Sequence, residues 1–217
     1  MAIECAEAFT ASSLFFIPCA VPPHKETSIL LPFDLRCGLL LAAIESVRSP
    51  HLRSRMSVCE VEKERDGPSY TIDTLRILGK RYPDQRLIFI LGSEDYARLP
   101  TWKDWSKLPE AADLLVLPRT PDAENEFDET SRRLWPAAHA FGRRERNFLA
   151  PGSALSVAFE LPCGARLLFL RQSLLEISSS LIRERRHQGK SLDFLIPGAV
   201  TALLEAHESE TRSAWSS

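Results

Sequence analysis

The sequence predicts an α/β protein with a mostly parallel sheet and helices on both faces. Three observations carry that expectation. Short apolar runs of strand length alternate with longer stretches whose apolar residues recur at helical spacing. The strongest run, Leu87-Ile-Phe-Ile-Leu91, leads straight into Gly92, where the backbone must turn. The runs are separated by enough chain for the long crossovers that parallel neighbours require. Ligands of such sheets sit beyond the carboxyl ends of the strands, so the residues after each run are where chemistry is expected.

Met1 to Phe9 reads as helix, with Ala2, Ile3, Ala6 and Phe9 on one face and no capping residue before it. Leu14-Phe-Phe-Ile17 is a short buried strand, ended by Pro18 and the Pro22-Pro23 pair. Asp34 precedes an amphipathic helix marked by Leu35, Leu39, Leu40, Ala43, Ile44 and Val47, which stops near Pro50. Val58 to Val61 reads as a strand leading into the turn Asp66-Gly67-Pro68-Ser69, and Ile72, Leu75, Leu78 and Tyr82 mark the next helix. After Leu87–Leu91, further strands are expected at Leu114 to Leu117 and Leu167 to Leu170. The stretch from 120 to about 151, acidic first and basic later, reads as a partly helical insertion in a single domain. A helical C-terminal part is expected from about 178, and no internal repeat is visible.

Composition removes several function classes. Lys+Arg number 27 against Asp+Glu 29, a formal charge of −2, so no overall basic field exists to hold a nucleic-acid backbone. No apolar run is long enough to span a bilayer, and the N-terminus lacks the pattern of a signal peptide. The five cysteines are scattered and lack C-x-x-C spacing, which points to a reducing, cytoplasmic setting and away from a zinc site. No metal ligands are assigned.

Four loops stand where chemistry is expected. Val21-Pro22-Pro23-His24-Lys25 presents a ring nitrogen and an ammonium on a stiffened loop, or is simply a solvated turn. Ser69-Tyr70-Thr71 opens a helix with hydroxyls and free amides that suit a carboxylate, or merely caps it. Gly92-Ser93-Glu94-Asp95 lets a ligand approach the main chain and offers acids to a ribose or an adenine amino group, while Trp102 offers a face for stacking. The bland alternatives are acids complementing a helix dipole and a core tryptophan. Glu176-Ile-Ser-Ser-Ser-Leu-Ile-Arg183 combines a serine cap, the amides of a first helical turn and an arginine fork into a cradle for phosphate oxygens, or is a plain N-cap beside a solvated arginine. Gly189, near His187 and Lys190, ends that helix.

Taken in order, V-P-P-H-K, P-S-Y-T-x-x-T-L, F-I-L-G followed by L-P-T-W, and I-S-S-S-x-I-R resemble the bacterial nicotinate mononucleotide adenylyltransferases, over nearly the whole chain from Ala2 to about Ala206. The resemblance implies a Rossmann-like nucleotidyltransferase fold and the reaction of ATP with nicotinate mononucleotide to give deamido-NAD and pyrophosphate, assisted by Mg²⁺. It implies that His24 and Lys25 lie near the phosphates, that Tyr70, Thr71 and Trp102 hold the nicotinate, and that Gly92 with Glu94 or Asp95 meets the adenosine. Ser179, Ser180 and Arg183 would bind the triphosphate, with Arg119 as a further substrate neighbour. Two departures are mild: the family's acid falls on Glu94 with Asp95 beside it, and the family threonine in I-S-S-T is Ser180.

The larger departure is at the start. The family opens with a strand and a G-G-x-F-x-P-x-H-x-G-H loop whose histidines bind phosphate in the transition state, and this sequence contains no such motif, so no catalytic residue is assigned. Met1 to Phe9 resembles the helix after that loop. The expectation is therefore a sheet with its first strand missing, a natural protein that extends upstream of Met1, and weak activity of the chain as it stands. Alternatives in the same fold are another acceptor, phosphopantetheine or nicotinamide mononucleotide, and a nucleotide-binding remnant.

Overall fold

The computed structural model describes residues 1–9, 13–23, 30–140 and 155–215, with backbone alone over 155–158. The chain forms two compact units: Met1–Ala11 with Tyr70–Leu175, and Ser12–Ser69 with Glu176–Ser217.

The first unit contains α1 (Ala2–Ala8), and the second then begins with β1 (Leu14–Phe16), α2 (Phe33–Glu45), α3 (Pro50–Arg53) and β2 (Met56–Val58). The chain returns to the first unit for α4 (Thr71–Arg81), β3 (Ile88–Gly92), α5 (Ser93–Ala97), α6 (Leu108–Ala111), β4 (Asp113–Leu117), α7 (Ala123–Leu134), β5 (His139–Ala140), β6 (Leu155–Glu160) and β7 (Arg166–Leu170). It closes in the second with α8 (Ser179–His187), α9 (Gly198–Ala206) and α10 (Glu208–Trp215).

In the first unit the sheet order is β3-β4-β7-β6-β5. β3, β4 and β7 are parallel, with Ile88 opposite Asp113 and Leu114 opposite Leu167. β4 explains why these strands read as unbroken apolar runs: side chains alternate, and both faces are covered. Leu114 and Val116 face a core with Ile72 and Leu75 of α4, Tyr96 of α5 and Phe127 of α7. Leu115 and Leu117 face Cys5, Ala8 and Phe9 around α1. Burial pushes the Cys5 thiol up to about 11, so it packs as a small apolar group.

The parallel part ends at β7, which pairs antiparallel with β6, and β6 pairs antiparallel with β5. The cause is local. Leu161 to Ala165 is a tight turn closed by the Leu161 amide on the Ala165 carbonyl, with Gly164 at φ +80°, and a turn this short can only reverse the chain. Helix α7 and strand β5 occupy the start of the expected insertion, and 141–154 lie outside the described residues.

Where β4 and β7 begin, beside that turn, a single buried carboxylate gathers two arginines. Asp113 Oδ2 accepts Arg86 Nε and Arg166 Nε at 2.7 Å each, and also Arg166 Nη2. Its Oδ1 accepts Arg86 Nη2 at 2.7 Å and the Arg166 amide at 2.8 Å. The side chain of Asp113 is 1% exposed, and full pairing is what makes a buried charge tolerable.

In the second unit β1 and β2 form their own parallel pair, with Leu14 opposite Met56 and Phe16 opposite Val58. The second strand thus falls two residues before the expected Val58 to Val61. Pro50 does not simply end a helix but starts α3, at the first helical position where its missing N–H costs nothing, behind the Ser49 cap. Helices α2 and α9 pack through Gly38, where a Cβ would lie 3.4 Å from Leu203 Cδ2. Leu31, Leu35, Ile182, Leu192, Leu204 and Ala214 form this unit's core. Arg186 of α8 spans it, donating to the Leu204 carbonyl at 2.8 Å and to Thr211 Oγ1 at 3.3 Å. Among the described residues no helix is long and apolar enough to cross a membrane.

Candidate functional site

In the first unit the site is built on the carboxyl end of β3. Gly92 ends the strand and serves as N-cap of α5, with an ordinary extended backbone at φ −75°. An added Cβ would lie 3.2 Å from Arg119 Nε and 3.4 Å from Arg119 Cγ, so a larger residue here requires the arginine side chain to give by a few tenths of an ångström. Arg119 follows β4, and its amide donates to Ser93 Oγ at 3.2 Å while its guanidinium lies 3.9 Å from the Met1 sulfur. The arginine expected as a further substrate neighbour therefore stands over Gly92.

Glu94 and Asp95 are exposed in the first turn of α5. They are turned outward because Tyr96, the next residue, is driven inward. Its ring packs 5.2 Å from Phe127 and its hydroxyl shares a 2.8 Å hydrogen bond with Ser131 Oγ. Burial of the phenol pushes its pKa up to about 12, despite the bond to Ser131.

Tyr70, Thr71 and Trp102 belong to the same unit. Tyr70 is the N-cap of α4 but offers no side-chain cap; its carbonyl accepts the Asp73 and Thr74 amides. Thr71 is the first helical residue, at the positive end of the helix dipole, and Lys80 and Arg81 complement the other end. Trp102 follows a 3₁₀ turn, Leu99–Thr101, and packs edge-on to Phe89 of β3, with ring centroids 6.2 Å apart. Trp105 packs against Trp135 at 5.2 Å, and Tyr70, Trp102 and Trp105 all lie partly buried against the same core.

A charged cluster here escaped notice in the sequence. Lys103 Nζ lies 4.5 Å above the Tyr70 ring and donates to Asp73 Oδ2 at 2.9 Å, so the residue after Trp102 joins the loop of Trp102 to the start of α4. Asp73 also lies 3.6 Å from Arg76, which reaches Asp104 at 3.9 Å. Lys107 bonds Asp104 at 3.0 Å, and that hydrogen bond chiefly holds the Asp104 carboxyl below its ordinary range. The adjacency of Lys103 to a tryptophan was the available signal, but a lysine at a loop reads by default as solvated.

Ser69 takes another role from the one expected of it. Its amide donates to the Val21 carbonyl at 2.8 Å and its hydroxyl accepts the Val21 amide at 3.1 Å, which fastens the chain just before Pro22 and Pro23. His24 and Lys25 lie outside the described residues.

In the second unit, Ser178 is the cap of α8, accepting the Leu181 amide at 3.1 Å. Ser179 and Ser180 then occupy the first turn, exposed, and Arg183 Nη2 donates to Ser180 Oγ at 3.0 Å. Buried Ile182 anchors the helix while the serines stay at the surface. Amides, hydroxyls and guanidinium thus share one helix end, an arrangement suited to phosphate oxygens. Gly189, at φ +67°, closes the helix as expected, its amide on the Arg186 carbonyl and that of Lys190 on the Arg185 carbonyl.

No protein-family model matches the chain, but named relatives do. It is 34% identical over 207 residues to a probable nicotinate-nucleotide adenylyltransferase of Pseudomonas fluorescens, covering 95% of this chain and 86% of that relative. A similarly named protein of Pseudomonas putida is 35% identical over 208 residues, covering 95% and 85%. Another, of Maridesulfovibrio salexigens, is 27% identical over 202 residues, covering 93% and 85%. Among solved structures, a Plasmodium falciparum nicotinic acid mononucleotide adenylyltransferase complexed with NaAD superimposes with a TM-score of 0.64 at 14% identity, covering 97% of this chain and 88% of that one, a likeness of fold. Given relatives above 30% identity across nearly its whole length, together with a strand-end glycine, a Tyr-Thr helix start, a flanking tryptophan and a serine-capped helix with its arginine, this chain belongs to the nicotinate-nucleotide adenylyltransferase family.

Proposed function

We propose that this chain transfers the adenylyl group of ATP to nicotinate mononucleotide, releasing pyrophosphate and forming deamido-NAD. The observation that carries the reading is the co-occurrence, in a chain of this family, of the serine-capped α8 with Arg183 and the Tyr70, Thr71 and Trp102 cluster. A phosphate oxygen of the mononucleotide forms the new bond to the α-phosphorus of ATP, and the bond from that phosphorus to the β-bridging oxygen breaks. The attacking group is already an anion, so no protein nucleophile is called for, and the protein's task is alignment and charge neutralisation.

Each cluster has a part in this assignment. Ser179, Ser180 and the amides of the first turn of α8 bind the triphosphate, with Arg183 neutralising charge as it builds on the leaving pyrophosphate. Gly92 admits the adenosine against the main chain, and Glu94 or Asp95 accepts its hydrogen bonds. Trp102 stacks the pyridine ring, and Tyr70 and Thr71 present a helix start to its carboxylate. His24 and Lys25 are assigned to the phosphates by the resemblance. Magnesium enters as part of the MgATP substrate; among the described residues no three His, Cys, Asp or Glu side chains stand together as a resident metal site.

The test is product analysis with ATP and nicotinate mononucleotide, nicotinamide mononucleotide or phosphopantetheine in parallel, resolving dinucleotide by chromatography and quantifying pyrophosphate. Deamido-NAD and pyrophosphate in equal amounts from the first acceptor are expected, at the low rate that goes with a sequence lacking the family's histidine loop. Preferential use of either other acceptor, or no product from any, overturns the reading.

A further inference from the structure

We propose that Lys103 sets acceptor specificity, by supplying the positive charge that selects a pyridine carboxylate over the carboxamide of the same shape. The proposal rests on the acceptor reading of Tyr70, Thr71 and Trp102 given above. Carboxylate and carboxamide have nearly the same outline and both fit beneath a stacking indole, so shape at Trp102 does not separate them. They differ by one full charge. The amides at the start of α4 favour the anion only weakly, since a neutral carboxamide oxygen also accepts from them.

Lys103 meets the requirement by position and by charge. Its ammonium sits over the face of Tyr70, 4.5 Å from the ring centroid, and its backbone adjoins Trp102. The surrounding ion-pair cluster holds three cations, Arg76, Lys103 and Lys107, against two anions, Asp73 and Asp104, a surplus of one positive charge over the cluster. Asp73 does not consume that surplus: it is shared between Lys103 at 2.9 Å and Arg76 at 3.6 Å, so it keeps a partner when the lysine turns to a ligand. The lysine side chain is 44% exposed, and its flexible stem allows such a turn without rearranging the core. Asp73 and Tyr70 hold the ammonium within reach until then.

The experiment measures equilibrium binding of nicotinate mononucleotide and nicotinamide mononucleotide to the full chain, by calorimetry and by quenching of tryptophan fluorescence, for wild type, Lys103→Met, Lys103→Arg and Trp102→Ala. Lys103→Met is expected to weaken the nicotinate ligand about tenfold, equivalent to roughly 1.4 kcal/mol, while changing the nicotinamide ligand less than twofold; Lys103→Arg retains the preference. Equal weakening of both ligands by Lys103→Met, or no weakening of either, overturns the role of Lys103. Trp102→Ala is expected to weaken both ligands together. If it weakens neither, or if wild type binds neither, the acceptor assignment itself fails, and that outcome is distinct from failure of the lysine alone.

Discussion

Replacing Asp113 with Asn changes one atom and is expected to cost more than any other isosteric change in the first unit. Five donors converge on the two carboxylate oxygens: three on Oδ2 and two on Oδ1. An asparagine presents one oxygen and one NH₂ group, so whichever way it turns, at least two donors face another donor. Each lost charge-assisted bond is worth about 1.5 to 3 kcal/mol, which gives roughly 3 to 5 kcal/mol for Asp113→Asn. A domain holds only about 5 to 15 kcal/mol in total, so the variant sits near the margin of folding. Urea unfolding followed by circular dichroism measures it, and with a slope of roughly 2 kcal/mol per molar the midpoint falls by about 2 M. Arg86→Gln is the control: Arg86 is half exposed, and Arg166 continues to pair the carboxylate, so its cost is expected to be well under half as large. A cost for Asp113→Asn below about 1 kcal/mol, or an Arg86→Gln cost equal to it, refutes the view that one buried acceptor organises these strand ends.

Three further outcomes follow from the geometry. Tyr96 has a pKa raised to about 12 by burial, so its contribution is complete below the unfolded value near 10 and is lost as pH climbs toward 12, because the unfolded chain ionises first. Unfolding free energy should fall by about 2 to 3 kcal/mol across that window, and Tyr96→Phe should flatten the fall; an equal slope in the variant rules Tyr96 out as its source. Ser178→Ala removes the α8 cap and should cost about 1 kcal/mol in thermal unfolding, with Ser178→Asp restoring it; indifference to both means the bond to the Leu181 amide contributes nothing. Gly92→Ala suits the backbone at φ −75° but displaces Arg119, so stability should change by less than about 1 kcal/mol while KM for ATP rises several-fold and KM for the acceptor does not. An unchanged KM for ATP would separate Gly92 from nucleotide binding.

The parts of the fold legible in the sequence were those written in contiguous residues. Leu87 to Leu91 and Leu114 to Leu117 announced β3 and β4 because a strand covered on both faces has no polar alternation to disguise it. The run Ser178-Ser-Ser180 announced the start of α8, with the capping serine left open among the three, because a cap and its amide are three residues apart. Strand β6 went unread, and with it the antiparallel part of the sheet. Its Leu-Ser-Val-Ala-Phe-Glu stretch mixes small and polar residues, and its placement depends on the turn at Gly164. The Asp113 cluster was also invisible, since its arginines stand 27 and 53 positions away and each alone looks like a surface residue. At the site, residue types could be picked out in the sequence and partnerships could not. Trp102 and Tyr70 were picked out by chemistry, but only coordinates show Lys103 joining them, Ser69 spending its hydroxyl on Val21, and Arg119 lying over Gly92.

Neither unit is made of one continuous stretch of chain, and this bears on how the molecule must be assembled. The second unit needs α2 and α9 in contact, yet the whole Tyr70–Leu175 segment is synthesised between them. A ribosome emitting residues at about 5 to 20 per second therefore holds β1, α2 and β2 for several seconds before their partners exist. During that interval the apolar face of α2, with Leu35 and Ile44, has no α9 to cover it. The entropic cost of closing so long a loop grows only logarithmically, so the finished fold is not penalised heavily for it. The exposure falls on the nascent chain instead. Loss of the C-terminal helices, even by a late premature stop, would leave the early strands and α2 without the core that Leu192, Leu204 and Ala214 complete.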